Sequence, residues 1–92
     1  MLWELNDTKE LMCSDNYKER FVAEYMQTKI RYEKLKRFCN KIEAAKAIVN
    51  PAFEPHHDCP YELLRDQQRL MGNYLHILEL RAVIEDINIW EA

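Results

Sequence analysis

The stretch DNYKERFVAEYMQTKIRYEKLKRFCNKIEAAKAI, residues 15–48, contains neither glycine nor proline and decides the fold. Within it Phe21, Tyr25, Thr28, Tyr32, Leu35, Cys39 and Ile42 follow one another at alternating steps of four and three. That spacing lines one side of an α-helix with side chains meant for a neighbouring helix. Ser14, Asp15 and Asn16 are cap-type residues and Asn16 has Glu19 three positions on, so the helix is expected to start here. Asn50 and Pro51 stop it. About 33 residues at 1.5 Å each make a rod near 50 Å, longer than a compact chain of this size is wide.

After this helix, NPAFEPHHDCP (residues 50–60) holds all three prolines and reads as an irregular loop. Pro60 suits a first helical position, and Glu62 falls in the first turn near the positive helix end. A second seam follows at Tyr61, Leu64, Gln68, Met71, Leu75, Leu78 and Ala82. The expected fold is therefore all-α: two long antiparallel helices in a hairpin, with a helix over about 15–48, a loop at 49–59, a helix over about 60–85 and a tail at 86–92. In the tail Ile87, Ile89 and Trp90 sit near alternating positions, the pattern of an extended segment. Residues 1–14 form an extension to the 15–92 hairpin domain, with Asp7 and Glu10 predicting a short helical segment through Met12. Its Leu2, Trp3, Leu5, Leu11 and Met12 need cover from the hairpin or from a neighbouring subunit. A chain of this length buries only about 60 to 65% of its unfolded surface, so assembly into a homo-oligomeric bundle is expected.

Apolar residues make up 48% of the chain and charged residues 32%, with a single glycine, which fits a helical globular protein and excludes collagenous and disordered classes. The net charge of −3 is unevenly spread. Residues 15–48 carry nine Lys and Arg against five acids, whereas residues 49–92 carry three against eight. A basic helix thus faces an acidic one, which favours the hairpin and also offers an anionic ligand a basic face. Cys13, Cys39 and Cys59 are an odd, widely spaced set, as expected of a reducing cytoplasm. No secretory leader is read in the first 14 residues, and no run approaches the roughly 18 uncharged apolar residues of a membrane span.

The first helix carries Asp15, Tyr17, Arg20, Glu24 with Tyr25, Arg31 with Tyr32, and Leu35. Cys59 and Pro60 end the loop. The second helix carries Leu63 with Leu64, Gln67, Met71, Tyr74 with Leu75, Leu78 with Glu79, and Arg81 with Ala82. In this joint spacing the two helices resemble a family of short tailed-phage and prophage helical-hairpin proteins, including those of crAss-like phages. The resemblance spans roughly residues 15–87. Thr28 and Gln68 stand where the family has leucine, so each is a specificity position in a pocket or a polar group in the core that needs a partner. The resemblance implies a phage protein acting in the host bacterial cytoplasm.

Three groups of residues have ligand chemistry. Lys34, Arg37 and Lys41 form a cationic stripe, with Lys29, Arg31 and Lys36 near it and Tyr32 and Phe38 interleaved. Cationic nitrogens bind phosphate oxygens and aromatic faces stack on bases, though a solvated face with pairs such as Glu33 to Arg37 explains the stripe equally. Arg20, Glu24, Gln67, Tyr74 and Arg81 are the polar members of the family-like pattern. Antiparallel helices bring Arg20 and Glu24 toward Arg81, either as a salt-bridge network or as the wall of a pocket in which Tyr74 stacks on a base. His56, His57, Asp58 and Cys59 are metal-capable but adjacent, and adjacent residues do not converge on one ion, so an ordinary polar loop and no metal are expected. Gly72, inside the second helix, predicts a close helix crossing.

No nucleophile and base are spaced for catalysis and no phosphate-binding glycine loop is present, so no enzymatic activity and no cofactor are expected. The expected function is that of a phage anti-defence sponge, which sequesters a small anionic cyclic nucleotide immune signal in pockets between protomers. Its ligand-binding residues are Arg20, Glu24, Tyr25, Arg31, Tyr32, Lys34, Arg37, Gln67, Tyr74 and Arg81. A sequence pI of 5.6 argues against bulk nucleic acid. The alternatives are an anti-CRISPR-like inhibitor, whose acidic second helix enters a basic channel of a defence nuclease, and a self-associating structural or regulatory phage protein.

Overall fold

The computed structural model describes residues 5–90, so the cover sought for Leu2 and Trp3 lies outside the described residues, as does the side chain of Asp7. A 3-10 turn at Leu5–Thr8 runs into a single α-helical turn, α1, at Lys9–Met12. The long helices are α2, Tyr17–Ala47, and α3, Tyr61–Glu85. Between them Pro51–Phe53 form a second 3-10 turn. The expected start at Asp7 is displaced, because Thr8 occupies the cap position of α1. Thr8 is fully buried; its hydroxyl donates to the Leu5 carbonyl at 2.7 Å and accepts from Gln27 Nε2 at 2.8 Å, which pins the extension onto α2.

Asn16 caps α2 as its sequence predicts, its Oδ1 accepting from the Lys18 N–H at 2.9 Å. Glu19 does not return to Asn16. Its carboxylate accepts instead from Ser14 Oγ at 2.6 Å, and that oxygen accepts from the Asn16 N–H at 3.1 Å. At the other end, Val49 N–H bonds to the Lys46 carbonyl and Asn50 N–H to the Ala45 carbonyl, the two closing bonds of a Schellman motif. Glycine ordinarily fills the left-handed position of that motif, whereas here Val49 holds φ 51°. A β-branched residue there costs about 1 to 2 kcal/mol, and Val49 is 85% exposed, so no packing compensates. Val49→Gly should therefore raise stability by about 0.5 to 1 kcal/mol once the extra chain entropy of glycine is subtracted. A thermal melt followed by circular dichroism measures it; a fall in melting temperature would mean that the valine side chain makes a contact the protomer does not show.

The helices pack antiparallel. Tyr25 meets Glu79, Tyr32 lies over Gly72, and Asn40 and Glu43 meet Arg65, so the paired residue on α3 falls in number as that on α2 rises. Both predicted seams face inward. Phe21, Tyr25, Thr28, Cys39 and Ile42 are buried with Tyr32 and Leu35 half-buried; opposite them Leu75, Leu78 and Ala82 are buried and Tyr61, Leu64, Gln68 and Met71 half-buried. Off the seam, Met26 is buried in the core cluster, and Ala23 and Ile30 are buried on either side in sequence of Gln27, the residue to which Thr8 of the extension is bound. Asp86 closes α3 in the left-handed region, letting Ile87 N–H reach the Ala82 carbonyl at 2.8 Å and turning the chain back. Ile87 and Ile89 then join the core of Phe21, Tyr25, Met26, Leu75, Leu78 and Ala82, while Asn88 and Trp90 stay outside.

The sole glycine is explained by Tyr32. A Cβ at position 72 would lie 3.2 Å from that ring, so what the glycine makes room for is the end of a tyrosine side chain from α2. Gln68 has its partner in Arg65, whose Nη1 donates to Gln68 Oε1. Thr28 does not fare as well. Its hydroxyl is buried with no hydrogen-bond partner, a cost of about 1 to 3 kcal/mol that the protomer leaves uncompensated.

Candidate ligand-binding site

The hairpin has two flanks, and the candidate residues divide between them. On the first, Tyr74 Oη donates to Glu24 Oε2 at 3.1 Å across the helices. Burial and then the Glu24 carboxylate hold the Tyr74 hydroxyl above its ordinary pKa. The ring is 41% exposed and forms one end of an open groove of about 420 Å³ lined by Leu63, Asp66, Gln67, Leu70, Met71 and Tyr74. Two turns further along α3, Arg81 lies over the Phe21 ring at 5.0 Å, a contact of cation and π face. Its Nε donates to Glu85 Oε2 at 2.8 Å, which holds the Glu85 carboxyl below its ordinary range. Residues seven apart on a helix share a face. Arg31 stands seven beyond Glu24 on α2 and Gln67 seven before Tyr74 on α3, so the antiparallel register puts this second pair on the same flank.

The opposite flank is structural. Tyr25, 1% exposed, donates to Glu79 Oε2 at 2.6 Å, and burial followed by that carboxylate raises its pKa well above the tyrosine range. Arg65 is a hub the sequence reading missed. Its Nε donates to Tyr61 Oη at 2.7 Å and its Nη2 to Glu43 Oε1 at 2.7 Å and Asn40 Oδ1 at 3.0 Å. Tyr61 Oη also donates to Glu43 Oε1 at 2.8 Å. Only the i, i+4 spacing of Tyr61 and Arg65 hints at it in the sequence.

Of the candidates, then, Glu24, Tyr74 and Arg81 are held together on one flank, with Arg31 and Gln67 placed beside them by register. Tyr25 and Tyr32 are taken up in the packing of the hairpin. Arg20 does not join Arg81: its Nη1 donates to the Ser14 carbonyl at 2.6 Å, a tie between the extension and α2. The expectation of an Arg20 and Glu24 network with Arg81 fails because Glu24 is committed to Tyr74 and Arg81 to Glu85. Lys34 and Arg37 are exposed and, with Arg31, make no ion pair among the described residues.

In the loop, His57 Nδ1 lies 2.7 Å from the Cys59 carbonyl and Nε2 2.7 Å from Glu54 Oε2, with the Phe38 ring edge-on at 6.4 Å. A carbonyl and a carboxylate only accept, so making both bonds at once requires the doubly protonated ring and favours the charged form. The Cys59 carbonyl and then Glu54 raise its pKa, against the opposing effects of burial and then Lys46. The contribution of a group with a raised folded pKa is full below its unfolded value, near 6.5, and is lost as pH rises through the folded value. Histidine proton shifts followed by NMR should put the His57 midpoint above 6.5, with the loop amides moving in step; a midpoint at or below that value would mean that the two bonds are not made in solution. Among the described residues no group of three or more His, Cys, Asp and Glu side chains is arranged to hold a metal, and no helix is long and apolar enough to cross a membrane.

The described residues thus form an all-helical hairpin with a partly exposed groove of mixed polar and apolar side chains along one flank. The chain belongs to the Sequestin family, whose model matches residues 15–84. That span covers nearly all of both long helices and excludes the extension. The family's name speaks of sequestration, a binding role and not a catalytic one. No curated protein and no solved structure gives a significant match to the chain.

Proposed function

We propose that this protein is a phage anti-defence sponge, acting in the host cytoplasm, that sequesters a small anionic cyclic nucleotide immune signal in a site shared between protomers. The observation that carries the proposal is the flank on which Tyr74, oriented by Glu24, stands between Arg81 and the Gln67 groove. An aromatic face with guanidinium groups on either side suits a base and its phosphates. Arg31, Lys34 and Arg37 add cations without ion-pair partners among the described residues. Membership of the Sequestin family supports sequestration.

The inhibitor alternative is less well served. It needs an acidic outer face on α3, yet Leu63, Leu70, Ile77, Leu80 and Ile84 are all more than half exposed there. That face is apolar more than acidic.

A melting-temperature screen tests the proposal, using cyclic dinucleotides, cyclic trinucleotides and cyclic ADP-ribose isomers. A ligand bound only by the folded state at a hundred times its Kd adds about 2.7 kcal/mol, so one class should raise the melting temperature by roughly ten degrees or more. If none shifts it and a defence nuclease co-purifies, the sponge reading is wrong.

A further inference from the structure

A helix with one partner needs one seam, and α3 has two. Besides the inward one, Leu63, Gln67, Leu70, Tyr74, Ile77, Arg81 and Ile84 also follow at alternating steps of four and three, about a third of a turn round the helix. The apolar members of this outer seam are bare in the protomer: Leu63 is 58% exposed, Leu70 57%, Ile77 53% and Ile84 81%. The six residues lining the groove beside Tyr74 are spaced as two successive sockets of a knobs-into-holes contact, each built of positions i, i+3, i+4 and i+7. Leu63, Asp66, Gln67 and Leu70 form the first; Gln67, Leu70, Met71 and Tyr74 form the second.

We infer that a second copy of the chain docks on this outer seam, the two α3 helices lying antiparallel about a two-fold axis beside Tyr74. The inference deepens the sponge reading, since Gln67, Tyr74 and Arg81 lie on the same seam and each copy's site is completed by the other. With the axis there, Ile77 of the second copy reaches the second socket, and Arg81 of the second copy, which keeps its own Glu85, comes over the first beside Asp66, which keeps Arg69 at 3.6 Å. A parallel arrangement would instead set Arg81 against Arg81. Charge therefore favours the antiparallel dimer, by the modest amount that already paired groups allow.

The size of the face agrees. Leu63, Leu70, Tyr74, Ile77, Leu80 and Ile84 offer on the order of 600 Å² per copy before their polar neighbours are counted, against roughly 800 Å² per partner in a standard interface. The isolated protomer also has surface to spare. Its 6551 Å² exceeds the roughly 5,700 Å² of a compact monomer of this mass, and its radius of gyration of 16.0 Å exceeds about 12 Å.

Light scattering on the full chain should give twice 11.1 kDa for the wild type and 11.1 kDa for Leu70→Glu combined with Ile77→Glu, with helical circular dichroism retained. Should that variant not fold, a second measurement decides: Asn73→Cys, in a background of Cys13→Ser and Cys59→Ser, should be joined to its copy by a short bis-maleimide cross-linker, because Asn73 flanks the outer seam beside the axis, where an antiparallel pair puts position 73 of both copies on one side and a parallel pair puts them on opposite sides. A wild type of 11.1 kDa at all concentrations overturns the inference. So does a dimer that survives the glutamates, or one in which the cysteine introduced by Asn73→Cys stays unlinked. Thermal shifts with the nucleotide panel on the same samples separate the two claims: a monomer that still responds to nucleotide sinks the dimer alone, and a glutamate-sensitive dimer that responds to none sinks the sponge alone.

Discussion

Leu78→Ala should lower the melting temperature by about 10 °C or more, the largest loss of stability expected from a single truncation in α3. Leu78 is 3% exposed and sits in the cluster with Phe21, Tyr25, Met26, Leu75, Ala82, Ile87 and Ile89. Leucine-to-alanine changes at such sites cost about 2 to 5 kcal/mol, through lost transfer energy and the cavity left behind. A domain of this length has only about 5 to 14 kcal/mol in total, and each kcal/mol is worth roughly 4 to 8 °C. Only Leu75, Leu78 and Ala82 of α3 are buried, so few other residues on that helix can take up the loss. Denaturant unfolding measures the change directly. A loss under 1 kcal/mol would mean that α3 is held chiefly by contacts outside the hairpin.

The hairpin was legible in the sequence because its signals are local and periodic. Both seams could be counted, the Asn16 cap and the Pro51 stop are punctuation, and Gly72 announced the approach of another residue before Tyr32 could be named as that residue. The burial of Ala23, Met26 and Ile30 was less legible: they too follow at steps of three and four, but the run passes into Glu33 and Arg37, and three positions are too few to declare a covered face. Ile87 and Ile89 alternate in the sequence, but their entry into the core depends on the left-handed turn at Asp86, a conformation that aspartate tolerates without advertising. At the site, residue types were readable and their commitments were not. Glu24 had an arginine and a tyrosine within reach of its spacing, and only the helix register assigns it to Tyr74. The Arg65 hub escaped for the same reason, because its partners Asn40 and Glu43 lie on the other helix. The outer seam of α3 is written as plainly as the inner one, but two overlapping seams on one helix are told apart only when one is seen to be covered.

Tyr74→Ala should weaken nucleotide binding by roughly 5- to 150-fold, since a base stacked on an aromatic ring gains about 1 to 3 kcal/mol. The mutation also removes the hydroxyl that donates to Glu24, leaving that carboxylate without this hydrogen bond on the flank proposed to meet phosphates, which adds to the loss. Tyr74→Phe separates the two effects. It keeps the ring and loses only the hydroxyl, so stacking persists while Glu24 is released; binding should then fall far less than in the alanine variant. Tyr74 is 41% exposed, so the larger part of it is buried and the alanine variant should also lose stability, with a fall of several degrees in the unliganded melting temperature, against which its binding is compared at a temperature where both proteins are folded. Isothermal titration with whichever cyclic nucleotide shifts the wild type measures both variants. Equal losses for alanine and phenylalanine would assign the role of Tyr74 to its hydroxyl and to the placing of Glu24. Unchanged binding in both would move the ligand off this flank, toward the exposed cations Lys34 and Arg37 on the outer face of α2.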